Sequence, residues 1–115
     1  MAKPIPDGYH TLTAHMVQKD AAAAIEFYKQ AFGAEERFRM PGPGGQGVAH
    51  AELQIGDSVL MLSDEFPGTA TKSPSSLGGT TISLFLYVKD VDALFAKATA
   101  AGAKVEMPPM DMFWG

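Results

Sequence analysis

TAHMVQKDAAAAIEFYKQAFGAEE, Thr13 to Glu36, and SLFLYVKDVDALFAKATAAGAKVE, Ser83 to Glu106, follow one plan. Each opens on a strand-like pattern, passes a Lys-Asp pair, continues at helical spacing and stops at Gly-Ala. In the first copy Thr11–Val17 alternates as a half-buried strand does. Asp20 is placed to cap the next helix by accepting from its free N–H groups. Ala21, Ala24, Ile25, Tyr28 and Phe32 recur at helical spacing and make one apolar stripe. Gly33 can take the left-handed conformation that ends a helix. In the second copy Thr81–Val88 is a predicted strand and Asp90 the cap. Val91, Leu94, Phe95, Ala98 and Ala101 make the stripe, Gly102 stops it, and Lys104–Met107 is a further strand ended by Pro108-Pro109. The repeat is too long for a solenoid turn and indicates a pair of modules.

Between the copies, Glu35–Met40 is predicted as a second strand, and PGPGGQG, Pro41 to Gly47, as a flexible loop. Val48–Ile55 and Ser58–Ser63 form a hairpin about the two-residue turn Gly56-Asp57. Residues 64–80, rich in Pro, Gly, Ser and Thr, are a connection or lid. The fold class is α+β, with paired βαβββ modules inside one domain spanning 1–115. The first module covers 9–65, a linker 66–80, and an incomplete second module 81–115. The second copy reaches Met112-Phe113-Trp114-Gly115 before a hairpin of its own, which implies either a fragment or strands supplied by another chain. An open sheet edge invites pairing, so a homodimer, formed by strand exchange, is expected.

The bulk properties exclude several classes. With 115 residues, 46% hydrophobic and 19% charged, the chain has ordinary globular composition. Its formal net charge is -4 and its nine Lys and Arg are scattered, so the basic stripe of a nucleic-acid binder is missing. There is no cysteine, hence no disulfide framework, thiolate metal site or Cys nucleophile. Met1–Pro6 has no apolar run behind its lysine, and no stretch suits a bilayer span, which points to the cytoplasm and away from membranes.

Strand parity sorts the side chains. The turn pairs Ile55 with Ser58 and Glu52 with Met61. One hairpin face then carries Ala51, Leu53, Ile55, Leu60 and Leu62, and should pack on a helix stripe. The other carries His50, Glu52, Gln54, Val59, Met61 and Ser63. In the first strand Leu12, Ala14 and Met16 should face the helix, and Thr11, Thr13, His15 and Val17 the far side. In 81–88, Ile82, Leu84, Leu86 and Val88 should face the helix, and Thr81, Ser83, Phe85 and Tyr87 the other way. A face that mixes His, Met, Phe and Tyr with polar groups suits a pocket lining; the plain alternative is a solvated sheet face.

KDAAAAIEFYKQAFGAEE, HAELQIGDSVLMLSDE, LFLYVKDVDALFAKATAAGA and DMFWG together resemble the vicinal oxygen chelate superfamily, which includes glyoxalase I, bleomycin-resistance proteins and extradiol dioxygenases. The nearest likeness is to its PhnB-like branch, in which the chain continues past a DMFWG-like stretch into a further hairpin. The resemblance implies two curved sheets enclosing a cleft. Enzymes of the superfamily hold a divalent metal there on His, Gln or Glu from the first and fourth strands of each module. The matching positions here are Thr13, Ser83 and, near the fourth strand, Met61. Hydroxyls and a thioether are poor ligands for such an ion. An alternative set on the mixed face is His15, His50 and Glu52.

The function expected is therefore a small-molecule-binding protein of the glyoxalase/bleomycin-resistance type, with no cofactor. Its cleft would be built from Thr13, His15, His50, Glu52, Met61, Ser83 and Phe85. One alternative is a lyase, isomerase or dioxygenase that uses a divalent metal on His15, His50 and Glu52. Another is a structural dimerisation module. Glu52 is either a desolvated general base or a solvated or ion-paired carboxylate. Phe85, Tyr87, Phe113 and Trp114 could stack on a flat ligand, and His10 reads as a surface residue.

Overall fold

Asp20 accepts from Ala23 N–H at 3.1 Å and opens helix α1, Ala21–Phe32. Gly33, at φ 67°, closes it by donating to Lys29 O at 3.1 Å. Both caps stand where the sequence puts them. The computed structural model describes residues 3–111. In chain order its strands are β1, His15–Gln18; β2, Glu35–Pro41; β3, Val48–Ile55; and β4, Ser58–Asp64. Two further helices follow: the short α2, Pro74–Leu77, and α3, Val91–Ala100.

The four strands form one sheet in the order β1-β4-β3-β2. β1 runs parallel to β4, and the other neighbours are antiparallel. The hairpin register is the predicted one, with Ile55 opposite Ser58 and Glu52 opposite Met61. Its apolar face packs on the α1 stripe: Ala21, Ile25, Ala51, Leu53, Leu60 and Leu62 are buried together, with Ala14, Met16 and Tyr28 packed against them. At about 25 cal/mol per Å2 of apolar surface removed from water, this contact is the main force holding sheet to helix.

Asp64, the last residue of β4, ties three elements together. Its carboxylate accepts from Ala21 N–H at 2.7 Å, the first residue of α1, and from Val48 N–H at 2.6 Å, the first residue of β3. Gly47 at φ 69° makes room for it, since a Cβ there would lie 2.7 Å from Asp64 Oδ2. Nothing in the strand pattern singled this residue out.

Several expectations are corrected. β1 begins at His15, so Thr11 and Thr13 precede the ladder, and Leu12 is 90% exposed instead of facing the helix. Val17, Val59 and Ser63, assigned to the mixed face, are buried. The connection 64–80 contains α2, capped by Ser73 and started by Pro74. The larger difference is the second copy. Its helix α3 forms, capped by Asp90 accepting from Ala93 N–H at 3.0 Å, and lies against α1. Its strands do not: 81–88 and 104–107 are outside any ladder. Ile82, Leu84, Leu86 and Val88 are exposed instead of packed on a helix. A strand is a property of a pair, because its N–H and C=O groups need a neighbour. Among the described residues no strand pairs with either segment. Phe113 and Trp114 lie outside the described residues. Among the described residues no helix is long and apolar enough to cross a membrane.

Candidate functional site

The register lines four side chains in one row across the face of the sheet opposite α1. His15 on β1 pairs with Met61 on β4, Met61 with Glu52 on β3, and Glu52 with Phe38 on β2. His50, two residues before Glu52 on β3, has the same parity and joins them. Its ring lies parallel to that of His15, with centroids 6.2 Å apart and 8° between planes, and Phe38 approaches its other side at 6.2 Å.

Glu52 is the centre of the polar contacts. His50 Nε2 lies 2.9 Å from Glu52 Oε2, where its N–H donates to the carboxylate. The other oxygen accepts from the hydroxyl of Tyr9. Side-chain exposures of 27% for His50 and 21% for Glu52 leave both reachable from solvent. The Tyr9 and His50 donors hold the Glu52 carboxyl below its ordinary range, the Tyr9 hydroxyl contributing most and partial burial opposing. Glu52 is thus the hydrogen-bonded, ionised carboxylate of the two sequence alternatives. A general base of raised pKa would need the reverse balance. Burial, followed by the Glu52 contact, pushes the Tyr9 phenol up to about 12. Partial burial, then the neighbouring His50, lowers the pKa of His15, so the neutral imidazole is favoured there.

Tyr9 arrives on a strap that the sequence reading passed over. Pro4-Ile5-Pro6-Asp7-Gly8 turns the chain back, with Tyr9 N–H donating to Pro6 O at 3.1 Å and Gly8 at φ 83°. A Pro-Asp-Gly run has turn chemistry, and that was the available signal. The guanidinium of Arg37 lies 5.2 Å from the Tyr9 ring centroid and donates to Asp7 O at 3.1 Å. Between strap and sheet lies a cavity of about 430 Å3, bounded by Ile5, Tyr9, His10, Thr13, Glu52 and Met61 among others. His10, read as a surface residue, is exposed but also lines it, and contacts Asp57 O at 3.2 Å.

Of the residues expected to build the cleft, Thr13, Glu52 and Met61 line this cavity. His15 and His50 stand beside them through the row and the stacked rings. Ser83 and Phe85 do not join: both are exposed, in the segment without a partner strand, and neither lines the cavity. Tyr87, considered for stacking on a flat ligand, is 97% exposed.

The whole chain can now be set beside known proteins. The family model described as the Glyoxalase/Bleomycin resistance protein/Dioxygenase superfamily matches residues 10–115. The chain belongs to this superfamily. It is similar to an uncharacterized protein of Mycobacterium bovis, 46% identical over 107 residues that make up 90% of this chain and 70% of that one. An uncharacterized protein of Mycobacterium tuberculosis H37Rv shows the same 46% identity, and there the match spans 62% of the relative's length. Among solved structures, TioX from Micromonospora sp. ML1 superposes with a TM-score of 0.67 at 28% identity, covering 92% of this chain and 81% of that one. Those likenesses agree with the mixed α+β fold and its four-stranded sheet.

The divalent metal of the superfamily's enzymes finds no fitting donor set at the matching positions. Thr13 and Ser83 offer neutral hydroxyls and Met61 a thioether, where imidazole or carboxylate is needed. The alternative set of His15, His50 and Glu52 stays together on one face, yet His50 and Glu52 are engaged with each other. Among the described residues no three His, Asp or Glu side chains converge on a metal position.

Proposed function

We propose that the protein binds a small organic molecule in the cavity between the N-terminal strap and the mixed face of the sheet, as a binding protein of the glyoxalase/bleomycin-resistance type. Membership of that superfamily and the placement of Glu52 support the reading. A carboxylate fixed by two donors, at the wall of a cavity that sets Pro4, Ile5, Pro6 and Met61 beside Thr11, Thr13 and His10, suits a small-molecule site in which fixed polar groups orient a ligand on apolar surface. About 430 Å3 is room for a ligand of modest size. Thr13 and Glu52 would orient the ligand and Met61 would pack on it, its flexible thioether fitting an irregular surface. His15 and His50 would shape the rim with their stacked rings. The reading also takes in the PhnB-like likeness and a cytoplasmic setting.

A library of small aromatic compounds, screened by thermal shift, tests the site. Compounds that raise the melting temperature of the native protein are expected to lose that effect in Met61→Arg, whose side chain would fill the cavity from its floor. Compounds that stabilise Met61→Arg equally well would place the binding elsewhere.

We propose further that two copies associate through residues 82–88. The support is physical: this extended segment leaves Leu84, Phe85, Leu86 and Tyr87 exposed, and its backbone lacks a ladder partner among the described residues.

A further inference from the structure

The cavity has a sign. Glu52 is the one carboxylate among its described lining residues, and no Lys or Arg is among them. Arg37 does not line the cavity, although it is close enough to favour the charge on Glu52. It lies over the Tyr9 ring and donates to Asp7 O at 3.1 Å and to Gln54 Oε1 at 3.4 Å. The two groups that hold Glu52, the Tyr9 hydroxyl and the His50 imidazole, donate to its two oxygens and fix its orientation. Pro4, Ile5, Pro6 and Met61 give the wall an apolar part, beside the polar Tyr9, His10, Thr11 and Thr13. A carboxylate beside low-dielectric groups acts more strongly on an incoming charge than the same carboxylate in water.

Resting on the reading of this cavity as a ligand site, we propose that its ligand is a cationic amphiphile, an alkylammonium group on an apolar body, whose N–H groups take the place of the Tyr9 hydroxyl on Glu52. The Tyr9 hydroxyl already donates to a charged acceptor; an ammonium adds its own charge, and the charge–charge attraction favours the ligand. The strap can yield, because its ties are few and exposed. Lys3 pairs with Asp7 at 2.8 Å with both side chains largely in solvent, and Arg37 holds Asp7 by one carbonyl. The apolar body then lies on Met61 and Ile5. A ligand carrying a carboxylate meets the charge of Glu52 and is rejected.

Three probes of similar shape separate the possibilities: 2-phenylethylammonium, 2-phenylethanol and 3-phenylpropanoate. Each is titrated near neutral pH against the native chain, with affinity read from two-dimensional NMR. The cation is expected to bind about tenfold more tightly than the alcohol, the scale of an added charge–charge attraction in a partly buried site, and the anion more weakly than either. In Glu52→Gln the advantage of the cation over the alcohol should vanish. Tyr9→Phe, which removes the competing hydroxyl without emptying the cavity, should raise the cation's affinity severalfold. If the three probes bind alike, if the anion binds best, or if Tyr9→Phe leaves the cation unchanged, the charge preference is overturned while the cavity reading stands. If none of them binds at millimolar concentration, both are overturned.

Discussion

Asp64 shows how much one side chain can fix. Its carboxylate takes the first N–H of α1 and the first N–H of β3, so helix start, strand start and the end of β4 share a single anchor. Asp64→Ala would leave both N–H groups without that acceptor, at a cost of about 1–3 kcal/mol for each one left buried and unsatisfied. Urea unfolding should show a loss in that range, and a smaller one for Asp64→Asn, which keeps an acceptor. The titrating groups of the site make a second prediction. His15 has a lowered pKa in the fold, so its contribution to stability is complete above the unfolded value of about 6.5 and is lost as pH falls through the folded value. Glu52, also lowered, acts in the same sense from about 4.3 downward. Tyr9 acts in the opposite sense: with its phenol raised to about 12, its contribution is complete below about 10 and is lost as pH rises toward the folded value. The melting temperature should therefore fall between pH 7 and pH 5, and fall less steeply in His15→Gln. Equal slopes in the two proteins would remove His15 as a cause.

At the scale of elements, the hairpin and its helix carry the core. Ile25, Leu53 and Leu62 are fully buried between α1 and the sheet. Leu62→Ala should cost about 2–5 kcal/mol, the range for emptying a packed core position, with most of the fold's cooperativity retained. These elements were legible because their signals are local. Gly56-Asp57 set the turn, parity then set the faces, and Asp20 and Gly33 bracketed α1. β1 was read too long at its start, since alternation continues through Thr11 and Thr13 although pairing with β4 begins only near Ala14, whose carbonyl accepts from Met61 N–H at 3.0 Å. Segment 81–88 has as good a strand pattern as β1, and it fails for a reason composition cannot encode. β1 has β4 beside it, and among the described residues 81–88 has no counterpart. The site was half legible for a related reason. Glu52 and Met61 follow from the turn, whereas Tyr9 reaches Glu52 from a strap whose path depends on Arg37, a contact between segments far apart in sequence.

For the whole molecule, the open feature is the row of apolar side chains from Ile82 to Val88. Phe85 is 83% exposed and Tyr87 97%. A lone copy would place this surface in water, at a cost that burial against a second copy removes. Sedimentation velocity should find a dimer at micromolar concentration, shifted toward monomer in Leu84→Asp, which puts a charge into the contact. A native protein that sediments as a monomer throughout would contradict the association. No residue of this segment lines the cavity under the strap, so Leu84→Asp should leave ligand binding unchanged.

The account turns on one location: the hollow beneath the strap, where Glu52 meets Tyr9. Chemical-shift mapping with a bound small molecule tests it most directly. The account predicts the largest perturbations at Tyr9, Thr13, Glu52 and Met61, with smaller ones at His15 and His50. Perturbations gathered instead at the second hollow, formed by Phe95, Thr99, Val105 and Met107 beside α3, would contradict it.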